Sequence, residues 1–165
     1  MSERDDGPAQ APNPTHVARA SDREMVVTRI FEAPVHIVFR AWTVPELFMR
    51  WWAPKSLGVP LLSCEMDVRT GGGYRLEFGH DAANAMVFHG RYIEVVPDAR
   101  LVWTNEEEEN GAVTTVTFED LGGRTRLVVR DVYPSKAALE EGHGAEEGAA
   151  EQFAQLDELL AILQA

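Results

Sequence analysis

Few side chains in this chain stand where acid–base or covalent chemistry needs them. His89 is the foremost candidate for a general acid or base, because an imidazole titrates near neutrality. It lies mid-way along the apolar run Met86–Val96, and Asp67 or Glu94 would be its carboxylate partner. If that run is a strand, neighbouring residues face opposite sides. Val87, Ile93 and Val95 share the parity of His89, and Phe88, Gly90, Tyr92 and Glu94 share the other. Both faces are mixed, so the direction of His89 stays open. Asp67 and Arg69 stand two apart on one strand face and are placed to pair with each other or to hold a polar ligand head. Cys64 is the single cysteine; it has no activating neighbour in sequence and reads as a small buried residue. No GxSxG elbow, HxxxH or CxxC occurs, so neither a serine nucleophile nor a metal site is expected. Gly71-Gly72-Gly73 lacks the GK[ST] ending of a phosphate loop. The run Glu106–Glu109 reads as a solvated turn, since a plain glutamate series does not set calcium geometry.

The elements that would carry these groups follow from periodicity. Met25–Phe31 is β-branched and short, a strand. Pro34 stops it and opens a helix with apolar residues at Val35, Val38, Phe39 and Trp42. Pro45 starts a second helix through Leu47, Phe48 and Trp51. Strands follow over Leu61–Arg69, Tyr74–Phe78, Met86–Val96, Leu101–Asn105, Val113–Glu119 and Arg124–Val132, joined by short links that favour antiparallel pairing. Ser135–Glu141 is helical. A longer helix runs past Gly142-His143-Gly144 to Leu163, with the stripe Ala145, Ala149, Phe153, Leu156, Leu160, Leu163. That stripe has one large partner, the sheet, so the fold class is α+β. Residues 1–22 are polar, proline-dotted and without period, and read as a disordered lead-in to a single domain over 23–165.

Length and charge narrow the function classes. A chain of 165 residues buries roughly two-thirds of its unfolded surface and needs no metal or disulfide to hold a core. No apolar run reaches the length of a membrane span, and the start has no signal-peptide pattern; with one cysteine, a cytoplasmic location is expected. The net charge of −12 opposes nucleic-acid binding. Residues 1–105 carry 13 acids and 11 bases, and residues 106–165 carry 14 acids and 4 bases. The excess maps to Glu106–Glu109 and to Glu140, Glu141, Glu146, Glu147, Glu151, Asp157 and Glu158. The expectation is an acidic coat on one side that does not enter the interior.

Several segments in fixed order carry a family resemblance: Phe31-Glu32-Ala33-Pro34, Ala41-Trp42-Thr43 with Pro45-Glu46, Arg50-Trp51-Trp52-Ala53-Pro54-Lys55, Met66-Asp67-Val68-Arg69-Thr70-Gly71-Gly72, Gly90-Arg91-Tyr92-Ile93-Glu94-Val95-Val96-Pro97, Val116-Thr117-Phe118 and Glu147-Gly148. With them, residues 26–163 resemble the bacterial single-domain relatives of the activator of Hsp90 ATPase, within the START-like (SRPBCC, polyketide cyclase-like) superfamily. The resemblance implies a helix-grip fold, a curved antiparallel sheet of about six to seven strands around a long C-terminal helix, with a cavity between them. It also implies a choice of roles, since superfamily members bind lipids, hormones or polyketides, and some catalyse cyclisation or hydrolysis. The eukaryotic activator has a further N-terminal domain for chaperone binding, which the lead-in here does not match, so chaperone binding is not expected. Where many relatives carry a bulky aromatic, this chain has Gly148-Ala149-Ala150, which should widen one end of the cavity.

The leading expectation is a binding protein for a small hydrophobic or amphipathic molecule, with no cofactor and no metal. Its ligand-binding residues would be Trp51, Trp52, Phe78, Phe88, His89, Trp103, Gly148, Gln152 and Phe153. Aromatic side chains supply large rigid apolar walls. Trp51 and Trp52 are adjacent and cannot both point inward, so one belongs to the core and the other to the cavity mouth. Two alternatives stand beside it: a cyclase- or hydrolase-type enzyme using His89 with Asp67 or Glu94, and a chaperone-linked interaction module presenting an acidic patch. Edge strands leave a homodimer open.

Overall fold

In the computed structural model, residues 13–107, 109, 111–142 and 148–165 are described. Alternation fixes the central strands. β2 (Glu24–Phe31) buries Met25, Val27, Arg29 and Phe31 on one face. β7 (Val113–Asp120) buries Thr114, Val116 and Phe118, and β8 (Thr125–Val132) buries Thr125 and Leu127. With β3 (Leu61–Met66), β4 (Gly73–Phe78), β5 (Met86–Val96) and β6 (Arg100–Thr104) they form one curved, unclosed antiparallel sheet. With the edge strand β1 (His16–Ser21) beside β2, the order is β1-β2-β8-β7-β6-β5-β4-β3.

The eighth strand, β1 (His16–Ser21), corrects the reading of residues 1–22 as a disordered lead-in. It pairs antiparallel with β2, from His16↔Thr28 to Ser21↔Glu24. All its residues are exposed, so it has no hydrophobic period to read; edge-strand backbone hydrogen bonds define it. Residues 1–12 of that lead-in lie outside the described residues. The strand expected to reach Arg69 stops at Met66, where Asp67 N–H donates to the Gly73 carbonyl and the chain turns.

β5 serves both halves of the sheet. It pairs with β4 as far as Gly73↔Arg91 and with β6 from Tyr92↔Trp103. The hand-over needs Gly90. A Cβ there would lie 2.0 Å from the Thr104 carbonyl oxygen and 2.9 Å from the Tyr74 ring, distances no side chain tolerates. Absence of a Cβ lets the Tyr74 ring settle over the strand.

Four α-helices are present among the described residues: α1 (Val35–Thr43), α2 (Pro45–Phe48), α3 (Lys136–Gly142) and α4 (Ala149–Leu163). The second helix ends at Phe48, short of Trp51, and a turn carries the chain on, with Trp51 N–H donating to the Phe48 carbonyl at 3.3 Å. α4 buries Ala149, Phe153, Leu156 and Leu160, as its stripe requires, and also Gln155 and Leu159. Ala145, Glu146 and Glu147 lie outside the described residues. The core runs between α1, α4 and the sheet, around Phe31, Trp51, Leu101, Leu127 and Leu156. Arg29 breaks the apolar face of β2: its guanidinium, 2 % exposed, pairs with Asp157 on α4 and lies 5.1 Å from the Phe31 ring. That buried pair ties the helix to the sheet.

Candidate functional site

The inner faces of the sheet and helices enclose a cavity of about 950 Å³. Strand parity supplies its floor: Tyr74, Leu76 and Phe78 from β4, Phe88 and Tyr92 from β5, and Trp103 from β6. Trp42 of α1, Phe48 of α2, Trp52 and Phe153 of α4 close it from the helical side. These rings lock one another. Trp42 meets Trp51 at 4.8 Å and Trp103 at 6.1 Å, Phe48 stacks on Trp52 at 4.7 Å, and Phe78 meets Phe88 edge-on at 5.2 Å. Each such pair contributes about 0.5–1.5 kcal/mol beyond burial, so the walls are rigid. Leu57 and Met86 also line the cavity while remaining 65 % and 56 % exposed; they form an apolar mouth.

One end of the cavity is polar. Asn105 follows β6, and Thr114 faces both Trp103 and Asp131 across the ladder. Tyr74 Oη donates to the Thr104 carbonyl at 2.7 Å and to Asn105 Oδ1 at 3.3 Å. Asn105 Nδ2 donates to Thr114 Oγ1 at 3.0 Å, and Thr114 Oγ1 donates to Asp131 Oδ1 at 2.6 Å. Glu107, also in the lining, accepts from His89 N–H at 3.2 Å. Burial, then the nearby Glu107, pushes the Tyr74 phenol far above its ordinary range; this hydroxyl therefore acts as a fixed donor.

Helix α4 holds the wall that carries Trp52. Gln155 Nε2 donates to the Trp51 carbonyl at 2.8 Å and the Ala53 carbonyl at 3.0 Å, while its Oε1 accepts from Lys55 N–H at 2.9 Å. Gln152 Nε2 donates to the Trp52 carbonyl at 2.7 Å. Glu151 accepts from the Ser56 hydroxyl and backbone N–H, and these bonds hold its carboxyl below the usual range. One side of the helix is a polar clip on residues 51–56.

Of the nine residues expected to contact a ligand, Trp52, Phe78, Phe88, Trp103, Gly148, Gln152 and Phe153 line the cavity, and Trp51 and His89 do not. Trp51 is fully buried, with its Nε1–H donating to the Ala41 carbonyl at 2.9 Å. It is the core member of the tryptophan pair, and Trp52 is the cavity member. His89 is exposed on the outer sheet face, in a shallow depression with Asp67 and Arg75. Asp67 is paired with Arg69, and Glu94 with Arg100. The acid–base set of His89 with Asp67 or Glu94 is therefore not assembled inside the cavity, because the parity of Phe88, Gly90 and Tyr92 takes the inner face. Gln152 lines the cavity, but its amide is committed to the Trp52 carbonyl.

The acidic coat also needs correction. Glu107, Asp131, Glu141 and Glu151 are all part of the lining, and among the described residues no Lys, Arg or His joins them. Asn105, Thr114 and Asp131 were not among the expected site residues. Parity held the signal, since Asp131 keeps step with Leu127 and Val129, and Thr114 with Val116 and Phe118. Cys64 is half-buried, and burial, helped by Glu46, pushes its thiol up to about 11. It has no activated character. No group of three or more His, Cys, Asp or Glu poised for a metal occurs among the described residues, and none of the described helices is long and apolar enough to cross a membrane.

The architecture recurs in solved structures. A Rhodobacter sphaeroides protein superposes with a TM-score of 0.81 at 22% identity, over 91% of this chain and 99% of its own. A Nitrosomonas europaea protein gives 0.76 at 24% identity, over 88% and 99%. A Chromobacterium violaceum protein gives 0.68 at 26% identity, over 85% and 98%. No functionally curated protein matches the sequence. The family model described as activator of Hsp90 ATPase homolog 1-like protein matches residues 32–161. The match takes in α1, six of the eight strands (β3 to β8) and nearly all of α4, and with it this chain belongs to the activator of Hsp90 ATPase homolog 1-like family.

Proposed function

We propose that this protein binds a small apolar or amphipathic molecule in the cavity between the sheet and α4. The observation that carries the reading is the cavity itself, about 950 Å³ with aromatic walls and an apolar mouth. A cavity of that size and lining is typical of small-molecule sites. Wall rings are already locked against each other and against the clip from α4, so a ligand need not order them on binding, which lowers the cost of association. The cyclase or hydrolase alternative loses support, because its proposed acid–base residues face solvent. A cytoplasmic setting belongs to the same reading, resting on the single cysteine.

The test is a titration with the neutral dye N-phenyl-1-naphthylamine, followed by displacement with decanol. Saturable one-to-one fluorescence enhancement, reversed by decanol, is the expected result. Absence of enhancement, or enhancement that decanol leaves unchanged, would overturn the reading.

A further inference from the structure

The cavity is electrically one-sided. Its apolar end, from the mouth at Leu57 and Met86 to Phe78 and Phe88, is largely hydrocarbon and aromatic surface, and the one carboxylate beside Leu57, Glu151, is taken up by the Ser56 hydroxyl and N–H. Its other end holds Asn105, Thr114 and Asp131 in one hydrogen-bonded row, with Tyr74 and Glu107 beside it. The four charged side chains of the lining, Glu107, Asp131, Glu141 and Glu151, are all carboxylates, and among the described residues no cation lines the cavity to balance them. Asp131 accepts from Thr114 through one oxygen, and none of the ion pairs between described residues includes it. The same lining contains Trp42, 2 % exposed, whose Nε1–H has no acceptor; a hydroxyl or ether oxygen on the body of a bound molecule would supply one, a role an ammonium cannot fill.

We infer that the ligand is a cationic amphipath, an alkyl or aryl amine whose ammonium lies at the Asp131–Glu107 end and whose apolar body points to the Leu57–Met86 mouth. The inference rests on the cavity reading above and adds the charge and orientation of the occupant. An anionic amphipath such as a fatty acid would bring its carboxylate against these unbalanced carboxylates, and like charges repel. An ammonium there gains charge-assisted hydrogen bonds to the same groups. The protein's overall negative charge does not set this preference, since exposed charges beyond about 8–10 Å are screened at ordinary salt.

The test uses three probes of equal chain length at pH 7 and 0.15 M salt: decylamine, decanol and decanoate, titrated by calorimetry below their micelle concentrations. Decylamine should bind at least about tenfold more tightly than decanoate, with decanol between them. Asp131→Asn and Glu107→Gln should each lower that ratio. Asp131→Asn keeps an acceptor for Thr114, and the half-buried Glu107 offers a second site should the first variant fold poorly. Glu65→Gln, on the outer face, should leave the ratio unchanged. Decanol binding with amine and acid equal, or acid tighter, overturns the inference and leaves the cavity reading standing. Failure of all three probes to bind overturns both.

Discussion

Removing the Gln155 side chain should loosen the wall that carries Trp52. Gln155 is 7 % exposed and bridges α4 to residues 51–55 through three hydrogen bonds, at 2.8, 3.0 and 2.9 Å. Each contributes about 1 kcal/mol net, and an unsatisfied buried partner costs about 1–3 kcal/mol. Gln155→Ala frees two carbonyls and one N–H beside the core, but the turn can move them toward water, so the lower figure applies to each. The expected loss is about 3 kcal/mol. For a chain of this length, 1 kcal/mol shifts Tm by roughly 2–4 °C, which gives a fall of about 6–12 °C. Gln152→Ala removes one part-buried bond, at 2.7 Å, and should cost about 1 kcal/mol. Urea unfolding followed by circular dichroism and tryptophan fluorescence checks both. A Gln155→Ala loss under 1 kcal/mol, or one no larger than that of Gln152→Ala, would refute the clip as the element that positions Trp52.

Three further outcomes are expected. Asp157→Asn leaves the Arg29 guanidinium, 2 % exposed, without its counter-charge and should cost about 3–5 kcal/mol, whereas the double variant Arg29→Met/Asp157→Leu should recover most of it; urea unfolding of the three variants measures this. Cys64, at about 11 rather than 9.0, carries about a hundredfold less thiolate at pH 8 than an unperturbed thiol, so native protein should react with iodoacetamide on the order of a hundredfold more slowly than urea-unfolded protein. Burial raises both the Tyr74 and Tyr92 phenols. A group raised in the folded state ionises first in the unfolded chain, so stability holds below about pH 10 and falls as pH climbs past that ordinary tyrosine value. Tm should therefore drop steeply above pH 10, with the phenolate absorbance of Tyr74 and Tyr92 emerging only as the chain unfolds.

The fold was legible wherever an element shows a period. β2, β4, β7 and β8 alternate, and α4 carries its stripe, so the α+β class and the helix against the sheet follow from apolar spacing alone. β1 was not legible, because an all-exposed edge strand has no apolar period and is fixed by partners distant in sequence. The aromatic half of the cavity could be read for the same reason as the core, since both are the inner faces of those elements. His89 could not be oriented, because the register irregularity between Tyr92 and Glu94 blurs the parity that would place it. The polar end was not legible because Thr114 and Asp131 interrupt runs that read as plain strands, and only their cross-strand pairing brings them to one row. The Gln155 clip was hidden likewise: a glutamine inside an apolar helix stripe announces nothing until the carbonyls of residues 51 and 53 lie opposite it.

The tryptophans make the cavity directly observable. Trp42, Trp52 and Trp103 line it, and Trp51 is sealed in the core with its N–H bound to Ala41. Titration of ¹⁵N-labelled protein with decylamine, read on the four indole N–H signals, places the ligand relative to all of them. Saturable movement of the Trp42, Trp52 and Trp103 signals, with Trp51 moving least, is the outcome that cavity binding requires. Unchanged indole signals at saturating decylamine, or shifts confined to amides of the outer sheet face such as Glu65 and Arg75, would contradict it.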